Sequence, residues 1–220
     1  MRASCGAAAA ALLLGALTGV AQEGTGTPQS PQSPPPAAAP AWSASVTGFS
    51  YLLPGQDDVA VAVATAEKGS LHLEARYQYE APDSGSLFAG WKFSGGGDVT
   101  WEATPILGGV FGGKNGISPG LEAAVAYGIA DLYVEAEYVF DLEVEEDSFA
   151  YAWSELGFAP WEWMRLGLVG QRTTVYRSER DIQRGLFAQL AYRRATVGFY
   201  LFNPDDGDTR FAVLSLGIEF

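Results

Sequence analysis

Apolar and polar residues alternate along most of the chain beyond residue 41, with a period of two rather than 3.6. In the segment 70–80, Leu71, Leu73, Ala75, Tyr77 and Tyr79 share one face, and His72, Glu74, Arg76, Gln78 and Glu80 share the other. In 131–141, Leu132, Val134, Ala136, Tyr138 and Phe140 oppose Asp131, Tyr133, Glu135, Glu137 and Asp141. In 118–129, Leu121, Ala123, Val125, Tyr127 and Ile129 oppose Glu122, Ala124, Ala126 and Gly128. Such a dyad repeat marks strands whose two faces meet different surroundings. It predicts twelve strands, at 42–53, 58–66, 70–80, 86–94, 98–111, 118–129, 131–141, 148–158, 161–174, 182–193, 195–203 and 209–220. The connections alternate too. Short turns (Glu67-Lys68-Gly69, Gly95-Gly96-Gly97, Ala130, Ala159-Pro160, Arg193-Arg194) take turns with longer polar loops. No stretch past Ala41 is apolar for 18 residues, which excludes a helical inner-membrane protein.

The last strand narrows the class. Phe220, Ile218, Leu216, Leu214 and Ala212 form one apolar face, against the smaller and partly polar Glu219, Gly217, Ser215, Val213 and Phe211. A greasy period-2 strand ending in an aromatic residue resembles the final strand of bacterial outer-membrane β-barrels. That resemblance implies an all-β, transmembrane antiparallel up-and-down barrel of about twelve strands (ten is the alternative count), with short periplasmic turns and longer outer loops. It also implies that Phe220 is read by the barrel-assembly machinery. The aromatics fit the same picture. On the outward faces, Tyr77, Tyr79, Tyr138, Phe140 and Phe111 gather at the loop ends, and Trp101, Phe158, Tyr192 and Phe220 at the turn ends, as two girdles around an aliphatic band. Strands eight and nine fit less cleanly. If Glu155 and Arg165 face inward, so do Trp153, Trp161 and Trp163, which calls for a bulge or a shifted register. The resemblance spans residues 41–220 and matches no specific family motif.

Residues 1–21 read as a signal peptide: Arg2, an apolar run from Ala7 to Leu17 too short to span a bilayer, then Gly19 and Ala21 ahead of Gln22. Residues 22–41 are rich in Pro, Gln, Ser, Thr, Gly and Ala without periodicity, the composition of a disordered linker. The barrel domain is then 42–220, bound for the bacterial outer membrane by way of the periplasm. The single cysteine, Cys5, falls in the leader, so disulfides, thiolate metal sites and cysteine nucleophiles are excluded from the exported chain. Removing Arg2 leaves 12 basic residues against 26 acidic ones, a net charge of −14. That acidity speaks against nucleic acid as a partner.

The candidate chemistry lies on the inward faces. Glu74, Arg76, Glu80, Lys92, Glu102, Glu122, Glu135, Glu137, Glu155, Arg165 and Arg193 alternate toward the lumen. Two functions suit them. In one, the carboxylates give a small passive pore a preference for cations or small polar solutes, with Glu135 and Glu137 foremost because neither has a base two positions away on its strand. In the other, the charges pair across strands and seal a structural or interaction barrel. Twelve strands lie between a filled interior and an open channel, so side-chain size decides. An outer-membrane hydrolase is a third class. Its chemistry would rest on His72, the one histidine, which is placed near the periplasmic end beside Glu74 and reads as a satisfied lumen residue. No catalytic residue and no cofactor is assigned. The loop acids lack calcium-loop spacing, so no metal ligand is assigned either. Arg177, Arg180 and Arg184 form the one outer basic cluster and suit lipopolysaccharide phosphates among the outer-membrane lipids. Oligomeric state is not legible.

Overall fold

The computed structural model describes residues 40–172 and 182–220. Their strands are β1 (Ser43–Leu52), β2 (Val59–Lys68), β3 (Leu71–Tyr77), β4 (Ser84–Trp91), β5 (Phe93–Gly96), β6 (Val99–Gly112) and β7 (Gly116–Tyr127). They continue as β8 (Ala130–Asp141), β9 (Phe149–Trp161), β10 (Met164–Arg172), β11 (Gln183–Tyr192), β12 (Ala195–Phe202) and β13 (Phe211–Glu219). Each pairs antiparallel with its neighbours, and β1 pairs with β13, from Ser45 opposite Glu219 to Leu52 opposite Ala212. β4 pairs with β6, which completes the ring. β5 continues β4 along the same edge of β6, in unchanged register, from Phe93 opposite Ala103. The two are one stave broken around Lys92, so the barrel has twelve. The break has a local cause: Pro105 stands where Trp91 needs a partner, and proline has no N–H to donate to a ladder.

The molecule is inside out. The outward positions of every stave carry exposed apolar residues: Leu132, Tyr138 and Phe140 on β8, Leu214, Leu216 and Ile218 on β13, Leu87 on β4, Leu107 on β6. The inward positions are buried and hold most of the barrel's charge. Apolar outside and polar inside is the arrangement of a membrane-spanning β-barrel, since lipid replaces water as the outer solvent. Tyr138 and Phe140 pack on each other near the loop rim, with ring centroids 4.7 Å apart. Trp161 and Trp163 stack at the turn rim, centroids 5.7 Å apart and planes 16° from parallel.

Several expectations are corrected. The eighth strand does not end at Ala159-Pro160; β9 runs through that pair to Trp161, and the turn falls at 162–163. Between Met164 and Leu166 the register with β9 slips by one residue, from Trp161 to Phe158. This bulge at 159–160 separates the faces. Trp153 points inward, whereas Trp161 and Trp163 are turned out and exposed. The turn placed at Ala130 is instead Gly128-Ile129, where Gly128 takes φ +61°. Arg193 does not line the lumen: it sits exposed in the turn before β12. Tyr79 belongs to the interior rather than to the outer girdle, because β3 ends at Tyr77 and Gln78 takes φ 53°, which reverses the alternation. The signal peptide and the linker before residue 40 lie outside the described residues.

Candidate functional site: the charged barrel interior

The interior is built around two arginines. Arg76 projects from β3, one residue before its end at Tyr77, and its side chain is fully buried. Its Nε donates to Glu74 on the same strand. Nη1 lies 3.3 Å from Glu80 Oε1, 3.0 Å from Glu135 Oε1 and 3.2 Å from Glu137 Oε1. Nη2 is 4.0 Å from Glu122 Oε1. One guanidinium thus faces five carboxylates, drawn from β3, β7, β8 and the loop after β3. Its planar face is covered by the Phe88 ring at 4.3 Å and the Tyr79 ring at 4.6 Å, a placement that favours a cation and excludes water. Hydroxyls take up other lone pairs of the same acids. Ser86 donates to Glu80 at 2.7 Å, Ser118 to Glu137 at 2.8 Å, and Tyr79 to Glu135 at 3.0 Å.

Arg165 on β10 organises the second cluster. It is paired with Asp131 of β8 and Glu155 of β9, and its Nη1 donates to Gln189 Oε1 of β11 at 3.0 Å. Gln189 Nε2 donates to the Tyr200 hydroxyl at 2.7 Å, Tyr200 donates to Glu155 at 3.2 Å, and Trp153 Nε1 donates to the same carboxylate at 3.0 Å. Glycine makes room for this. A Cβ on Gly157 would collide with the Arg165 guanidinium and the Asp131 carboxylate.

A third group closes the turn end. Lys92 Nζ lies 2.7 Å from Glu67 and 3.7 Å from Glu102. Glu67 also holds His72 Nδ1 at 3.1 Å. Toward the loop end the filling is aromatic. Phe202 and Phe211 stack at 4.7 Å, Trp153 meets Tyr200 and Phe202 edge-on, and Tyr51 accepts from Gln171 at 3.1 Å. Among Phe49, Tyr51, Val63, Tyr79, Tyr133, Glu135 and Trp153 there remains a cavity of about 10 Å³. That is the room of about one water molecule.

Of the lumen residues named from sequence, Glu74, Arg76, Glu102, Glu122, Glu135, Glu137, Glu155 and Arg165 are all buried inside the barrel, and Lys92 is half-buried at its mouth. The argument that Glu135 and Glu137 lack a base held along their own strand only. Arg76 reaches both from β3, across the lumen. Glu67, Gln189 and Tyr200 went unnamed in sequence. Gln189 and Tyr200 alternate inward on β11 and β12, and their period-2 phase carried that signal; Glu67 read as a turn residue. Arg177 and Arg180 lie outside the described residues. Arg184 is exposed at the loop end of β11 and bonds Asp205 at 2.9 Å.

No family model matches the chain. No curated protein matches it. Among solved structures it is similar to the Acinetobacter baumannii outer membrane protein Omp33, at 13% identity and a TM-score of 0.44, over 83% of this chain and 99% of that one.

Proposed function

We propose that this chain is a sealed outer-membrane barrel, structural or interaction-bearing, whose interior is closed by its own ion pairs and aromatic rings. The observation that carries the reading is the packing around Arg76 and Arg165. Their carboxylate partners come from facing staves, and the residues between them are buried, which supports a packed interior over an open one. The apolar outer band and the rim aromatics support a membrane address, and the leader-like residues 1–21 support export. The working surface of such a barrel is its loop rim, where Asp141, Glu143, Asp205 and Asp206 give an acidic face, with Arg184 beside Asp205. Lipopolysaccharide phosphates are the partner proposed for Arg177, Arg180 and Arg184. No catalytic step is proposed.

The test is electrical. Refolded chain in a planar bilayer, under a salt gradient, is expected to stay silent while running as a folded, heat-modifiable band on a gel. Steady, cation-preferring openings would overturn the sealed reading. They would restore the porin-like pore, with Glu135 and Glu137 as its selectivity residues.

A further inference from the structure

We propose that the turn-end half of the lumen binds one divalent transition-metal ion, zinc(II) by preference, through His72 Nε2, Glu74 Oε2 and a Glu122 oxygen. His72 and Glu74 stand two residues apart on β3, and Glu122 comes from β7 with β4 and β6 between, so the ion would tie one wall of the barrel together. The donor atoms already converge. His72 Nε2 is 3.4 Å from Glu74 Oε2 and 3.8 Å from Glu122 Oε2, and the three donors lie within 4.8 Å of one another. Ligands about 2.1 Å from a tetrahedral zinc stand about 3.4 Å apart, so small movements complete the shell.

Three independent features point to a ligand rather than to a closed set of ion pairs. Glu122 is 3% exposed, yet both its carboxylate oxygens lack a hydrogen-bond partner; its nearest cations are His72 at 3.8 Å and Arg76 at 4.0 Å. His72 Nε2 and Glu74 Oε2 are buried and equally without a hydrogen-bond partner. Buried polar atoms rarely stay unsatisfied, and three aimed at one point share a missing partner. Second, His72 Nδ1 faces the Glu67 carboxylate at 3.1 Å, and Lys92 fixes Glu67 at 2.7 Å. With Nδ1 on the Glu67 carboxylate, Nε2 is the ring nitrogen turned toward Glu74 and Glu122, the orientation in which a carboxylate holds metal-bound histidines. Third, charge balance favours a cation. Five carboxylates surround the single Arg76 guanidinium, an excess of four when all are ionised and His72 is neutral. A dication would halve that excess, and two carboxylates with a neutral imidazole form a shell that neutralises it. The imidazole selects against calcium and magnesium, which take oxygen shells, and for first-row transition ions. On the turn-end side His72 meets Glu67, which Lys92 holds in turn, and both of these side chains keep partial exposure.

The inference is separate from the sealed-barrel reading, because metal binding and conductance are measured independently. The experiment uses the untagged chain, refolded in detergent micelles, stripped with a chelator and dialysed against zinc(II). About one zinc retained per chain is expected, and cobalt(II) substituted for it should give the visible absorption of a four- or five-coordinate nitrogen–oxygen site. Glu122→Gln and His72→Gln should lose binding. Glu67→Gln should keep the stoichiometry but weaken affinity by roughly 10–100-fold. Asp205→Asn with Asp206→Asn, at the opposite rim, should leave zinc stoichiometry and affinity unchanged. Should the interior variants fail to fold, the wild-type chain still decides. It has one histidine, so copper(II) bound in the lumen must show a single imidazole nitrogen by pulsed EPR. Zinc lost on dialysis, binding abolished by the rim variant, or no nitrogen signal would each overturn the proposal.

Discussion

At the scale of single residues, the interior is an asymmetric bargain between one base and many acids. Arg76 is shared by five carboxylates, so losing one acid and losing the base are different events. Glu135→Gln keeps four acids on the guanidinium and keeps a side chain that accepts from Tyr79. Its unfolding free energy in urea, measured in detergent or vesicles, should stay within about 1 kcal/mol of wild type. Arg76→Met strands the carboxylates without their cation and should cost about 3–5 kcal/mol, or prevent folding outright. Arg76→Lys should recover little, because an ammonium cannot fork to carboxylates on opposite sides or lie flat between Phe88 and Tyr79. The period-2 phase of β3, β7 and β8 made the inward direction of these residues legible. Which acid meets which base was not, because the partners sit on staves far apart in sequence: Arg76 and Glu137 are 61 positions apart.

At the scale of the element, alternation sets which face meets lipid. Val134 lies outward near the middle of β8, between Leu132 and Ala136. Val134→Arg should therefore cost about 2–4 kcal/mol in a bilayer, read by urea unfolding from vesicles, and an unimpaired variant would place β8 in the other register. Gly157 tests the opposite face of β9. A side chain there occupies the space of the Arg165 guanidinium, so Gly157→Val should separate Arg165 from Asp131 and cost about 1–3 kcal/mol by overpacking. The element errors share a cause as well. The bulge at 159–160 and the positive φ of Gln78 both interrupt the dyad count locally. A pattern that counts by two reads straight through such a point and assigns the wrong face beyond it, as it did for Tyr79. The crowding of Trp153, Trp161 and Trp163 on one face, by contrast, already called for the bulge that the structure shows.

At the scale of the whole molecule, closure distinguishes this barrel from a soluble sandwich with the same alternation. The β1–β13 and β4–β6 pairings close the ring, and the apolar faces lie outward. Swapping that face for a polar one should release the chain from lipid. With Leu214→Asn, Leu216→Asn and Ile218→Asn combined, vesicle flotation is expected to drop while strand content by circular dichroism falls with it, since β13 closes the ring. The strand class, most stave positions, the end of the barrel that carries the short turns and most of the inward charges, Arg193 and Glu67 excepted, were legible in the sequence alone. All of these are consequences of a local two-residue period and of turn chemistry. The meeting of side chains from facing walls around Arg76 and Arg165 emerges only from the tertiary structure. Whether twelve staves enclose a path or a packed interior depends on how side chains from opposite walls meet, and that distance is set by closure of the ring and not by any one strand.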